Sequence, residues 1–197
     1  MNSSKKSILN SNFTYLAAFV LPVIMMMALY YTRGIFPWGN ECYLRSDMYH
    51  QYAPFFSELW HKIRNGESLT YSWNIGMGTN FTSLFAYYLA SPSNWFVALF
   101  PQKYTIEIMN AFIILKIAGS SLSLTYYLTK HNNNKHVIAA IFGMFYGMSG
   151  FIAAYSWNIM WLDCVILIPL IMLGLERLVN ELSLIHISEP TRRTPIS

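Results

Sequence analysis

Four long apolar runs separated by polar loops most constrain what this chain of 197 residues can fold into. A helix needs about 20 consecutive apolar residues to cross a bilayer. Charged residues make up 11% of the chain, whereas a soluble domain has about a quarter. The sequence therefore predicts an all-α integral membrane protein. The predicted spans lie near residues 15–31, 106–128, 137–155 and 162–179.

The basic residues of the short segments predict the orientation of these spans. Alternating spans place them all on one side, and the positive-inside rule makes that side cytoplasmic. We therefore expect residues 1–14 to be cytoplasmic and the long loop 32–105 to face outward. The basic residues concerned are Lys5, Lys6, Lys130, Lys135 and Arg177.

The outer loop is predicted to contain an amphipathic helix. Apolar side chains recur at offsets 0, 3, 4, 7, 8 and 11, which is helical spacing, and we expect this stripe to lie in the membrane interface. Glu58 and Lys62 form an i,i+4 pair on the opposite side, and Asn65-Gly66 is a plausible helix end. The stripe consists of Tyr52, Phe55, Phe56, Leu59, Trp60 and Ile63.

The remainder of the loop and the later spans carry two further signals. The aromatic stretch 85–100 is interrupted by Ser91-Pro92-Ser93, which indicates a re-entrant or surface-lying element rather than a span. Small residues in the second and third spans predict close helix packing in lipid. They are Gly119, Ser120, Ser121, Ser123, Gly143, Gly147 and Gly150.

Asp47 is the main candidate for chemistry. Ser46-Asp47 precedes the amphipathic segment, so the acid could be a helix N-cap. It could also be a general base at the bilayer surface that accepts the proton of an attacking hydroxyl, or a ligand of a divalent metal ion. The roles as cap and as base are compatible, because a helix start can orient a catalytic acid.

Three further charged residues lie in or beside the spans. Asp163 and Glu107 sit at predicted outer ends, where they either terminate a helix or serve function. Lys116 lies near the middle of the second span, so we expect it to face a partner or a wet cavity. That partner could be a lipid phosphate, or a carboxylate on a helix outside this chain.

Other loop residues give weaker signals. Gly76-Met77-Gly78 predicts a tight turn with positive φ, although its amides could receive a phosphate. Tyr49 and His50 could orient a sugar or a diphosphate. The two cysteines lack metal-ligand spacing, and His61 has no second histidine at such spacing. The net charge of +4 is scattered without a basic block, so nucleic acid is not an expected partner.

Three segments in this order resemble the YfhO family of bacterial multispan membrane proteins. The first is Ser46-Asp47-Met48-Tyr49-His50-Gln51-Tyr52, and the second is Trp73-Asn74-x-Gly76-x-Gly78-Thr79-Asn80-Phe81. The third runs from Met160 through Pro169-Leu170 to Glu176. That family is similar to the GT-C class of glycosyltransferases, which have many membrane helices and a catalytic acid in the first extracytoplasmic loop.

The resemblance implies a GT-C-like helix bundle in the bacterial cell membrane. It implies transfer of a sugar from an undecaprenyl-phosphate carrier to a wall polymer of the teichoic-acid type. Asp47 matches the first-loop acid and would be the general base, and Asp163 matches a second recurrent acid. The substrate-binding residues that we predict are Tyr49, His50, Gln51, Tyr52, Gly76, Gly78, Asn80 and Lys116.

Residues 182–197 resemble the in-frame translation of a sequencing adapter, so we expect 15–181 to be a truncated membrane domain that is inactive alone.

A transporter or lipid-carrier flippase is the main alternative function, since transporters place polar sites near the bilayer midplane. A structural membrane subunit is a third alternative.

Overall fold

The computed structural model describes residues 2–132 and 137–182, with the side chains of 12–132 and 137–180. The described part is helical apart from one short hairpin and connecting loops. The helices are α1 (Asn2–Thr32), α2 (Ala53–Asn65), α3 (Phe81–Leu84), α4 (Thr105–His131), α5 (Val137–Gly147), α6 (Gly150–Tyr155) and α7 (Ile159–Leu182). The hairpin pairs β1 (Tyr71–Ser72) with β2 (Thr79–Asn80), in antiparallel register. Shorter helical turns cover Met48–Tyr52, Phe85–Leu89, Pro92–Leu99 and Gln102–Tyr104.

Four stretches are long and apolar enough to cross a membrane, which confirms a multi-pass helical membrane protein. Each overlaps one of the spans predicted from the sequence. They are Asn12–Thr32, Gln102–His131, Val137–Tyr155 and Ile159–Asn180. Of the basic residues used for orientation, Lys135 lies outside the described residues, and the sidedness stays a prediction.

Helix α4 is the centre of the bundle. In its apolar stretch 72% is buried within the protein, against 22% to 28% in the other three spans. Helices α1, α5 and α7 all pack against it. The outer three therefore carry the surfaces available to lipid, and α4 supplies the shared core.

Small residues set the distance between α4 and α5, as the sequence predicts. A Cβ on Gly143 would collide with the Thr125 hydroxyl and the Ser121 carbonyl. A Cβ on Gly147 would come within 2.7 Å of the Ile117 carbonyl oxygen. Glycine is thus required at both positions, because the α4 backbone occupies the space that a side chain would need.

Both prolines inside the spans have their orphaned carbonyls satisfied by a neighbouring helix. A proline has no N–H, so it leaves the carbonyl four residues earlier without its helical donor. For Pro22 that carbonyl is Ala18, and the Ser121 hydroxyl donates to it at 2.6 Å. For Pro169 it is Val165, and the Tyr146 hydroxyl donates to it at 2.8 Å. Each proline therefore creates an acceptor that ties two spans together.

Helix α2 forms where the apolar stripe predicts it, and Gly66 ends it with a left-handed φ of 66°. The stripe packs on the protein itself: Phe56 and Leu59 are fully buried, and the Phe56 ring lies 6.4 Å from that of Phe112 on α4. The predicted i,i+4 pair of Glu58 and Lys62 is confirmed. Both are buried, with their charged groups 3.7 Å apart, because the hairpin covers that face of α2.

The third predicted span departs from a single helix. It breaks at Met148 and Ser149, between α5 and α6. Gly147 and Gly150 flank the break, and glycine weakens a helix interior. Irregular backbone within a membrane stretch is tolerated where it lines a cavity, and such a cavity is described below.

Candidate functional site

Asp47 begins a continuous helical segment that runs through the Met48–Tyr52 turn into α2. Its carboxylate is exposed, makes no capping hydrogen bond and has no hydrogen-bond or ion-pair partner among the described residues. Ser46, just before it, holds a positive φ of 49°, which costs energy for a residue with a side chain. Asp47 thus occupies the cap position, but its side chain is left available for other chemistry.

The residues after Asp47 divide between surface and core. Tyr49 and His50 are exposed, with their rings edge to face at 5.3 Å. Gln51 donates from Nε2 to the Tyr88 hydroxyl at 2.9 Å. Tyr52 is buried and donates to Oδ1 of Asn158 at 2.9 Å. The first helical turn is therefore fixed to the loop between α6 and α7.

Tyr52 is held as a neutral donor. Burial raises the pKa of its hydroxyl well above the ordinary value, and Tyr88, Tyr87 and Asp47 add to that rise. Its hydroxyl therefore keeps its proton and its bond to Asn158 at any physiological pH. No local pattern around Asp47 points to Asn158 or Tyr88, because each is far along the chain from it.

Lys116 and Asp163, both predicted site residues, are paired with each other. The Lys116 ammonium donates to Asp163 Oδ2 at 2.9 Å, to the Ile159 carbonyl at 3.2 Å and to the Ser91 hydroxyl at 3.2 Å. These three acceptors match the three protons of the ammonium. Asp163 remains partly exposed, with 32% of its side chain accessible. The contact with Ser91 brings segment 85–100 alongside α4 and favours the re-entrant alternative.

The predicted glycine turn is present in the structure. Gly76, Met77 and Gly78 all have positive φ, as the sequence predicts, and the Gly78 amide donates to the Ile75 carbonyl within the turn. Asn80 accepts from the Ser83 amide at 3.2 Å and so caps α3.

Helix α2 holds the hairpin that carries this turn. Glu58 accepts from Ser72 Oγ at 2.6 Å and from Asn74 Nδ2 at 3.0 Å, and Lys62 donates to the Tyr71 carbonyl at 2.9 Å. Glu58 lies eleven residues beyond Asp47, so the hairpin is anchored about three helical turns along from the acid. The binding roles of Gly76, Gly78 and Asn80 stay predictions.

A cavity of about 650 Å³ lies between the end of α1, residues 33–45 and the break between α5 and α6. Arg33 and Arg45 line it, and neither has an ion-pair partner among the described residues. Arg45 is two residues from Asp47, so their Cα atoms are no more than about 7 Å apart. Neither arginine is among the site residues predicted from the sequence, although they stand at the two ends of segment 33–45.

The cavity wall combines apolar and polar groups. Its apolar part includes Met26, Leu29, Ile117 and Ile152, and the free, exposed Cys42 also lines it. Within the described residues, no three His, Cys, Asp or Glu side chains gather to hold a metal ion. The Asp47 carboxylate can accept a proton, and the guanidinium groups of Arg33 and Arg45 can bind an anion.

The comparisons with known proteins give one match. The model of a family described as bacterial membrane protein YfhO matches residues 17–186. Neither a curated protein nor a solved structure matches the chain. The family match includes residues 182–186, so the predicted boundary of the adapter-derived tail stays a prediction.

Proposed function

This chain belongs to the family of the bacterial membrane protein YfhO, and we propose that it is a membrane glycosyltransferase. It would move a sugar from a polyprenyl-phosphate carrier to an extracellular wall polymer of the teichoic-acid type. The observation that carries this proposal is the Asp47 carboxylate. It is exposed at the start of a firmly anchored helix and is not engaged by any described residue.

The proposed reaction is a direct displacement. Asp47 accepts the proton of the acceptor hydroxyl, and that oxygen forms a bond to the anomeric carbon of the sugar. The bond between this carbon and the phosphate oxygen breaks, and its electron pair stays on the polyprenyl phosphate. One displacement predicts inversion at the anomeric carbon. No step requires a metal ion.

Anchoring of the segment supports the role of Asp47. A general base has to be held within hydrogen-bond reach of the proton that it accepts. Gln51 and Tyr52, one helical turn further on, are bonded to Tyr88 and Asn158. These contacts fix the helix start while leaving the carboxylate open. Lys116 on α4 donates to the Ile159 carbonyl and to Asp163 on α7. These bonds hold the start of α7, next to the Asn158 that accepts from Tyr52.

An Asp47→Asn substitution in the chromosomal gene tests the proposal. A general base contributes about 10²- to 10⁴-fold to rate, so sugar on the wall polymer should fall at least about 100-fold. Mass spectrometry of the purified polymer measures the sugar, and immunoblotting confirms an unchanged protein level. Glu67→Gln removes an exposed carboxylate of the same loop and should leave the modification intact. Normal modification in the Asn variant would overturn the proposal.

A lipid-carrier flippase is the second candidate, favoured by the helix break beside a cavity. Discontinuous helices are typical of transporter binding sites. A flippase would move a fluorescent polyprenyl phosphate across liposomes in an Asp47→Asn variant as fast as in the parent. A glycosyltransferase would show no such movement in either protein.

A further inference from the structure

We propose that the cavity bounded by α1, residues 33–45 and the α5–α6 break binds the phosphate and first isoprene units of the donor lipid. Arg33 and Arg45 would hold the phosphate, and the apolar wall would hold the chain. This inference rests on the proposed function, because it names the place of the donor relative to Asp47.

The charge of the cavity matches a sugar phosphodiester. Arg33, Arg45 and Glu41 all line it, which gives a net charge of +1. No ion pair with a described residue neutralises either guanidinium. A lipid phosphate that carries a sugar is a diester with one negative charge. Arginine also presents paired donors that suit phosphate oxygens.

The same two arginines would assist the reaction as well as binding. When the sugar leaves, the diester becomes a monoester, and its charge at neutral pH grows from −1 towards about −2. Cationic groups placed where negative charge develops stabilise the transition state more than the ground state. Arg33 and Arg45 should therefore affect turnover in addition to affinity.

The apolar half of the cavity indicates a lipid rather than a free anion. Met26 and Leu29 come from α1, Ile117 from α4 and Ile152 from α6. An inorganic phosphate would gain nothing from these side chains, whereas an isoprenoid chain would bury surface against them. The break between α5 and α6 also supports a ligand in this cavity, because irregular backbone at membrane depth occurs where it lines a cavity.

A buried hydroxyl at the edge of the cavity lacks a partner. Tyr30 is buried, and its hydroxyl has no hydrogen bond to any described residue. Its ring lies 5.3 Å from that of Tyr43, which lines the cavity. An orphaned buried polar group calls for an explanation, and Tyr30 follows the cavity-lining residue Leu29 directly in the chain.

Cys42 provides the test, because it lines the cavity and is free. The whole chain, with Cys164→Ser, is placed in phosphatidylcholine nanodiscs, and the rate of Cys42 alkylation by a maleimide is measured. Farnesyl phosphate should slow alkylation at least about tenfold. Equal protection by inorganic phosphate or by farnesol at the same concentration would overturn the proposal, since it requires both the anion and the chain.

Charge substitutions complete the experiment. Arg33→Gln or Arg45→Gln should weaken protection by farnesyl phosphate roughly 10- to 100-fold, the range for a lost charge-assisted hydrogen bond. Arg45→Lys should restore part of it, which excludes a folding defect. Arg64→Gln is the matched control, because this exposed arginine of α2 does not line the cavity. Undiminished protection in both Gln variants would overturn the assignment.

Asp47→Asn separates this inference from the proposed function. It should keep full protection by farnesyl phosphate while it abolishes sugar transfer in cells. If the Asn variant loses transfer but farnesyl phosphate does not protect Cys42 in the parent, only the cavity assignment is overturned. If farnesyl phosphate protects Cys42 and the Asn variant transfers sugar normally, only the role of Asp47 is overturned.

Discussion

Removing the Ser121 hydroxyl should destabilise the bundle by an amount that depends on Pro22. In the parent, Ser121 is the donor to the Ala18 carbonyl, which lacks its helical partner because residue 22 is proline. Ser121→Ala leaves that carbonyl unpaired in the core. In a Pro22→Ala background the new N–H of residue 22 can donate to the same carbonyl, so the loss of the hydroxyl should matter less.

The expected magnitude follows from the burial of both partners. Ala18 and Ser121 are each 0% exposed, so water does not replace the lost donor. A buried group left without its bond costs about 1–3 kcal/mol, whereas an average hydrogen bond between membrane helices contributes about 0.6 kcal/mol. We therefore expect Ser121→Ala to cost about 1.5 kcal/mol with Pro22 and about 0.5 kcal/mol without it.

Reversible unfolding in mixed micelles, followed by the helical circular dichroism signal, would supply the four free energies of this double-mutant cycle. Ser123→Ala is the matched control, because its hydroxyl donates to the Ser120 carbonyl within α4. Its effect should be the same with and without Pro22. Equal costs of Ser121→Ala in the two backgrounds would refute the proposed link between the proline and the hydroxyl.

Two further predictions concern packing and the hairpin. Gly143→Ala should lower the free energy of unfolding by about 1–3 kcal/mol, because its Cβ would strike α4. Gly174→Ala, with open space around it, should not lower it in the same unfolding assay, since alanine is the better helix former by about 0.5–1 kcal/mol. Glu58→Ala should cost about 3 kcal/mol, because it removes the buried carboxylate that faces Lys62 and leaves the Ser72 and Asn74 donors unpaired. It should also speed proteolysis of the hairpin. Glu67→Ala, which removes the exposed partner of that lysine, should cost less than about 1 kcal/mol. Comparable losses within either pair would contradict these contacts.

Features with a local physical cause could be predicted from the sequence. The spans follow from apolar length, the start and end of α2 from its stripe and Gly66, and the Gly76–Gly78 turn from its need for positive φ. The requirement for small residues between α4 and α5 was also predictable, since side-chain size at Gly143 and Gly147 limits helix approach.

Features that depend on distant residues could not be predicted in this way. Glu58 has the spacing of a surface pair, and nothing in α2 shows that the hairpin will cover it. Lys116 clearly needed a partner, but Asp163 lies 47 residues away, on another span. The break at Met148 and Ser149 lies inside a stretch whose hydropathy of 1.9 is that of a membrane span, so hydropathy alone gives no sign of it.

The candidate site also contains one residue that could be predicted from the sequence and a cavity that could not. Asp47 could be selected from its own segment, because a lone acid among Tyr, His and Gln stands out in the loop 32–105. The cavity beside it could not, because its wall comes from α1, α4, α6 and the 33–45 segment. Neither Arg33 nor Arg45 has a distinctive local pattern. Their shared position depends on how these spans pack.

The pairing of Lys116 with Asp163 also has a consequence for biogenesis. The ribosome delivers α4 to the translocon before α7, so the ammonium enters the insertion machinery before its counter-charge exists. A lysine near the centre of a helix costs about 2.5–3.5 kcal/mol on insertion. Helix α4 should therefore dwell beside the translocon until α7 emerges, and the two should then partition into the bilayer as a unit.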